Sequence, residues 1–206
     1  TADIQGENAG GYVQTAPDII RRIVKTRLGA YSLSDADLDN GAFNALDANM
    51  PWPCGIYIRD VETASTIIDD LLAPCGAYWT FNRNGQLTVG VIDEAGIGKM
   101  TIDGRVIDEA GISRRVIEPS YRVSVGYAPV WTVQNEDELA GATTQADRSF
   151  LGAEYRYVTY TNEVLQSQNQ FAVDRTFKTN LANKADAEAL LARLVRIYSK
   201  RRYVYQ

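Results

Sequence analysis

The residues best placed to do chemistry are four carboxylates in a local duplication. Val-Ile-Asp-Glu-Ala-Gly-Ile occurs at 91–97 and again at 106–112, so Asp93 and Glu94 match Asp108 and Glu109. Gathered together, such groups could hold a hard cation or divide into a general acid and a general base. Each copy, however, reads as a strand end followed by a Gly-containing turn, with Asp103-Gly104 marking a hairpin between them. Acids at turn positions are ordinarily solvated, and the simplest product of the duplication is a short β-meander. Histidine is absent from the 206 residues, which removes the commonest general base and metal ligand near neutral pH. Ser-His-Asp, Cys-His and His-ligated zinc schemes are therefore excluded within the chain. Gly96-Ile97-Gly98-Lys99 resembles the end of a phosphate loop, but the upstream glycine spacing is wrong and Met100 follows the lysine. The acidic run at 34–48 lacks the Gly and Glu that a calcium-binding EF-hand needs. No Gly-x-Ser-x-Gly elbow occurs. No catalytic, cofactor-binding or metal-binding residue is assigned, and no enzymatic activity is expected.

Cys54 and Cys75 each sit in Pro-Cys-Gly and flank residues 55–74. A disulfide closing that loop is one option. Two reduced, mostly buried thiols suit the composition better, because two cysteines do not make a disulfide-dense domain. Trp52, Trp79 and Trp131, with the Tyr-rich segments, could instead serve as stacking platforms for sugars. A core or connector role is the competing reading for Trp52, and a core position is expected for Trp79.

The elements that must position these groups centre on residues 55–92. Gly55–Ile58 reads as a short strand, and Asp60 as the N-cap of a helix with Glu62 in its first turn. Ala64, Ile67, Ile68, Leu71 and Leu72 share one helical face. Pro74 disfavours the α conformation at Ala73 and should stop the helix. Ala77, Trp79 and Phe81 alternate with Tyr78, Thr80 and Asn82 as a half-buried strand. A three-residue loop, Arg83-Asn84-Gly85 with Gly85 left-handed, faces Phe81, Trp79 and Ala77 with Leu87, Val89 and Val91. A two-residue Asn84-Gly85 turn would spoil that apolar face.

Before this unit, Thr15 and Asp18 predict a capped helix ending at Gly29, with Ile19, Ile20, Ile23, Val24 and Leu28 inward. Two helical turns follow around Leu38, Phe43 and Leu46, and Met50-Pro51-Trp52-Pro53 forms a stiff connector. After it, 121–127 alternates as a one-sided strand broken by Pro129, and a helix is expected over 143–151. Tyr155, Tyr157 and Tyr160 belong to a further strand. Phe171, Val173 and Phe177 point inward from another, with Arg175 interrupting that face. Asn183 should cap a last amphipathic helix, whose stripe is Ala187, Leu190, Leu191, Leu194, Val195 and Tyr198. The expected fold is α+β, mostly antiparallel sheet with a helix–β-hairpin module and a C-terminal amphipathic helix. Two domains are expected: 1–115, with the first helix, the helix–hairpin module and the meander, and 116–206, a sheet plus the last helix.

The polar helix start, Ile/Leu-rich helix, Gly-Ala-aromatic strand and Asn-Gly-Gln-Leu-Thr-Val-Gly of residues 55–92 resemble bacteriophage tail-hub proteins. These are baseplate or tail-tip proteins related to late control protein D and the type VI secretion spikes. Ile19–Gly29 is similar to the short helix preceding this unit in such proteins, and Tyr121–Val133 to the strand following it in phage tail proteins. The resemblance implies a virion structural component of a phage or prophage tail, made in the bacterial cytoplasm. It would assemble with other tail proteins and with its own copies, most often three. The rival reading is a carbohydrate-binding or glycan-degrading tail module, favoured if aromatics form an exposed row beside carboxylates.

A net charge of −5 argues against generic nucleic-acid binding. No apolar run approaches the roughly 20 residues of a membrane span, and the first residues lack the pattern of a signal peptide. The chain starts without Met and stops in Tyr203-Val204-Tyr205-Gln206, a strand-like end, so it is expected to be a piece of a longer protein.

Overall fold

A computed structural model of the chain describes residues 12–93, 114–135, 137 and 139–205. The duplicated segment lies outside the described residues except for Val91–Asp93, so its meander and most of its carboxylates lie outside them too.

The first helix, α1 (Ala16–Thr26), buries Ile19, Ile20, Ile23 and Val24 as their spacing requires, and Leu28 is half-buried. Its predicted capping box does not form. Thr15 occupies the N-cap position, but its hydroxyl is buried without a hydrogen-bond partner among the described residues, and its backbone bridges Pro53. Asp18 instead accepts from Arg21 Nη1 at 3.2 Å. Real capping appears next. Ser34 and Asp37 cap each other around a 3-10 turn, Asp35–Asp37. Asp39 caps α2 (Asn40–Asn49), accepting from the Ala42 amide and from Thr88 Oγ1, each at 3.1 Å. These bonds hold the Asp39 carboxyl below its usual pKa, the Ala42 amide contributing most. Leu38, Phe43 and Leu46 are fully buried, as expected.

The central helix, α3 (Ala64–Leu72), begins later than the sequence suggests. Thr63 is its N-cap, accepting from the Thr66 amide at 3.3 Å, while Asp60 and Glu62 lie in the irregular segment before it. Gly55–Ile58 forms no strand either. Backbone pairing stops at Gly55, whose amide donates to Asn180 O at 3.1 Å, and Tyr57 and Ile58 stand exposed beyond it. Ile67, Ile68, Leu71 and Leu72 are buried as predicted. The α-helix stops at Leu72, but Ala73 remains α-helical (φ −60°, ψ −43°) despite Pro74. A 3-10 turn, Ala73–Cys75, tolerates the proline near its start, where no N–H is required. Gly76, at φ +64°, then swings the chain into the next strand.

Strands β1 (Ala77–Phe81) and β2 (Leu87–Val91) form the hairpin in the register with one apolar face: Ala77 opposes Val91, Trp79 opposes Val89 and Phe81 opposes Leu87. The loop is the three-residue one, with Gly85 left-handed at φ +76°. Asn82 Oδ1 holds it by accepting from the amides of Asn84 and Gln86 at 2.9 and 3.0 Å. Burial fades along β1, however. Ala77 is buried, Trp79 is half-buried rather than in the core, and Phe81 is exposed.

The remaining strands form two small sheets. β3 (Arg114–Ile117) pairs antiparallel with β7 (Arg202–Tyr205). β4 (Ser120–Tyr127) is the centre of a three-stranded sheet, antiparallel to β5 (Arg156–Thr161) and parallel to β6 (Val173–Lys178). Between them lie the short helices α4 (Gln145–Leu151), within the span expected, and α5 (Glu163–Gln168), which the sequence reading missed. β4 is not one-sided: Val123, Ser124, Val125 and Gly126 are all buried. The cause is its central position, together with tyrosines laid over Gly126, where a Cβ would meet Tyr157 at 3.0 Å and Tyr155 at 3.1 Å. Phe171 precedes β6 and is 68% exposed, not inward. Arg175 does share the face of Phe177, and both rest on Tyr198, with the guanidinium 5.2 Å and the Phe177 ring 5.3 Å from its ring centre.

The last helix, α6 (Lys184–Tyr198), starts at Asn183, whose side chain donates to Asp186 rather than accepting a cap bond. Ala187, Leu190 and Leu194 are fully buried against the sheet, while Leu191, Val195 and Tyr198 only flank the core. Ile197 and Arg193 complete the buried face. The architecture is α+β, and one buried cluster takes side chains from α1, α2, α3, β1, β2, β4, β5 and α6.

Candidate functional site

The chain around residue 54 is built as a strip between two others. Cys54 N donates to Gln14 O at 2.8 Å, Ala182 N to Pro53 O at 2.9 Å, and Gly55 N to Asn180 O at 3.1 Å. Beyond that pairing Ile56 still packs against the core while Tyr57 and Ile58 turn exposed, and the three form one wall of a cleft of about 330 Å³. Glu62, Ile67, Asp70 and Pro74 supply the wall beside α3, and Tyr155, Lys178 and Asn180 the wall beside the sheet. Trp131 closes one end. Its ring centre lies 6.3 Å from that of Tyr57, with the planes inclined by 41°. Tyr57 is 61% exposed and Trp131 50% exposed, so both rings face solvent.

The polar lining is partly organised. Lys178 Nζ donates to Glu154 Oε2 at 2.9 Å and stands 5.1 Å from the centre of the Tyr155 ring. Its hydrogen bond to Glu154 raises the ammonium pKa. Burial, with a smaller contribution from Glu154, raises the Tyr155 phenol, so both groups keep their protons near neutrality.

A second depression of about 220 Å³ adjoins the first at Trp131 and Asn180, which line both, and is walled by Gly55, Ala128, Pro129, Phe150 and Ala182. Ala128 turns the chain out of β4 with a left-handed backbone (φ +47°), which helps bring Trp131 to the surface. Arg156 braces this wall: Nη1 donates to Ala128 O at 2.7 Å, and the guanidinium lies 3.5 Å from the Phe150 ring centre. A third groove, about 570 Å³, runs along α1 with mainly aliphatic walls from Val13, Ile19, Ile23, Ile56 and Ile58.

The three tryptophans therefore part company. Trp52 is half-buried, with the Arg193 guanidinium 5.7 Å from its ring centre. Trp79 donates to Asp69 Oδ1 at 2.7 Å and meets Phe81 edge-on. Only Trp131, of the three, stands beside an open cleft bordered by carboxylates. Sequence reasoning named Trp131 but not Tyr57, Asp70, Lys178 or Asn180, which lie up to 123 positions apart and share no motif.

Cys54 and Cys75 are both free thiols that line one small internal space with Trp52 and Leu181. Cys75 is buried and Cys54 half-buried, and burial pushes each thiol up to about 12. Among the described residues, no group of three or more Cys, Asp or Glu could hold a metal ion, and no helix is long and apolar enough to cross a membrane. No family model matches the chain, and no curated protein matches it.

Proposed function

We propose that the chain is a structural domain of a bacteriophage or prophage tail, part of the baseplate hub or tail tip, without catalytic activity of its own. In this reading it works in the virion tail, after synthesis in the bacterial cytoplasm, by assembling with other tail proteins and with its own copies, most often as a trimer. The resemblance of residues 55–92 to tail hubs motivates the assignment.

The observation that carries it is a set of large apolar side chains left uncovered at the two edges of the three-stranded sheet. Tyr157, Tyr160, Val164 and Phe171 are 48, 36, 62 and 68% exposed. They lie on outer strand β5, on α5 and just before outer strand β6, and neither outer strand has a further strand partner among the described residues. Open strand edges accept pairing from another chain, and amphipathic tyrosines are enriched where subunits meet. A symmetric ring would cover both features at once.

The test uses the full-length parent protein. Light scattering should give a symmetric oligomer, and imaging should find the protein in purified tails. A Val164→Cys label should react readily in the isolated chain and be protected in tails, with little background from the shielded native thiols. A monodisperse full-length monomer absent from purified tails would refute the proposal, as would equal labelling in both settings.

A further inference from the structure

We propose that the groove centred on Trp131 is a binding site for a neutral oligosaccharide. The inference stands apart from the tail assignment and rests on the groove alone.

Shape comes first. The depressions of about 330 and 220 Å³ meet at Trp131 and Asn180, which line both, so they form one groove with the indole at its middle. That length suits a chain of linked rings better than a single compact ligand. The aromatic platform comes second. Two half-exposed rings, Tyr57 and Trp131, stand 6.3 Å apart and inclined by 41°, offering two separate faces to successive units. A pyranose has an apolar C–H face and a hydroxylated edge, so it can use an exposed ring and a polar rim together.

The rim supplies that second half. Carboxylates at Glu62 and Asp70, the Asn180 carboxamide and the Lys178 ammonium border the same cleft as Tyr57 and Trp131. Sugar hydroxyls both donate and accept, so this mixture of acceptors and donors can satisfy them. Charge selects among sugars. Lys178 is already paired with Glu154 at 2.9 Å, which leaves Glu62 and Asp70 as excess negative charge in the cleft. Uronic or sialic acids would meet like charge there, whereas neutral hexoses would not. The same excess disfavours a nucleic-acid strand.

The test titrates the isotope-labelled 206-residue chain with cellotriose, maltotriose and triacetylchitotriose, with trigalacturonic acid as the charged counterpart, and reads amide and indole NMR shifts. At least one neutral trimer should saturably shift the Trp131 indole together with the Tyr57 and Asn180 amides. Trp131→Ala and Tyr57→Ala should each weaken that binding roughly tenfold, the effect of removing about 60 Å² of apolar contact. Phe171→Ala, at the opposite end of the sheet, should leave it unchanged. Trigalacturonic acid should bind several-fold more weakly than the neutral trimer. The proposal fails if no neutral trimer shifts the Trp131 indole up to about 10 mM. It fails equally if binding survives both aromatic substitutions, or if trigalacturonic acid binds more tightly.

Discussion

Replacing Arg193 by methionine asks whether α6 is tied to the helix–hairpin unit by a buried cation or merely packed against it. Arg193 is 8% exposed; its Nη2 donates to the carbonyl of Cys75, at the end of the 3-10 turn that launches β1. The same guanidinium faces Trp52 at 5.7 Å. A hydrogen bond from a charged donor contributes about 1.5–3 kcal/mol, and a partly desolvated cation–π contact about 1 kcal/mol. Against these stand the desolvation that lowers the Arg193 pKa and a buried Nε with no hydrogen-bond partner among the described residues. Methionine keeps much of the stem's packing while removing the charge, but strands the Cys75 carbonyl. The expected net loss is about 2 kcal/mol, and with a urea dependence of about 2 kcal/mol per molar the unfolding midpoint should fall by about 1 M. Far-UV circular dichroism and tryptophan fluorescence should report the same transition. Arg196→Met, on the exposed face of α6, provides the control. A midpoint for Arg193→Met equal to or above that of the parent would refute the reasoning, because the buried cation would then be a net burden.

Two further outcomes follow from the core. The thiols of Cys54 and Cys75 are raised from 9.0 to about 12 in the folded chain, so the folded state holds protons that the unfolded state releases. Their stabilisation is complete below pH 9 and lost as pH rises towards 12. Alkaline unfolding should therefore set in within that window and shift upward in a Cys54→Ala/Cys75→Ala variant, while intact mass under non-reducing conditions shows two free thiols; a two-hydrogen deficit or an unshifted alkaline transition would contradict this. Trp79→Ala should cost about 2 kcal/mol, less than the roughly 3–5 kcal/mol of a fully buried aromatic, because Trp79 is half-buried and loses one hydrogen bond to Asp69. A denaturant melt showing a loss below about 1 kcal/mol would place its ring outside the packed layer.

Local patterns in the sequence decided much of the framework. The helical spacing of Ile67, Ile68, Leu71 and Leu72 identified the buried face of α3, because a 3.6-residue period leaves one stripe to cover. The hairpin register was legible for a similar reason: only the three-residue loop puts Leu87, Val89 and Val91 opposite Phe81, Trp79 and Ala77. What failed depended on neighbours distant in the chain. Gly55–Ile58 looks like a strand, but its pairing partners at residues 14 and 180 support it only as far as Gly55. β4 looks one-sided, but β5, β6 and two tyrosines enclose it. Arg193 lies outside the stripe predicted for α6, yet the fold buries it and places a carbonyl from residue 75 where its guanidinium can donate. The groove belongs to this second class. Trp131, Tyr57, Asp70 and Asn180 meet because the strip at Pro53–Gly55 is pinned between two segments and its continuation turns Tyr57 towards solvent. Periodicity records which side of an element is apolar; which elements meet, and which rings are left facing water, is decided by packing across the whole chain.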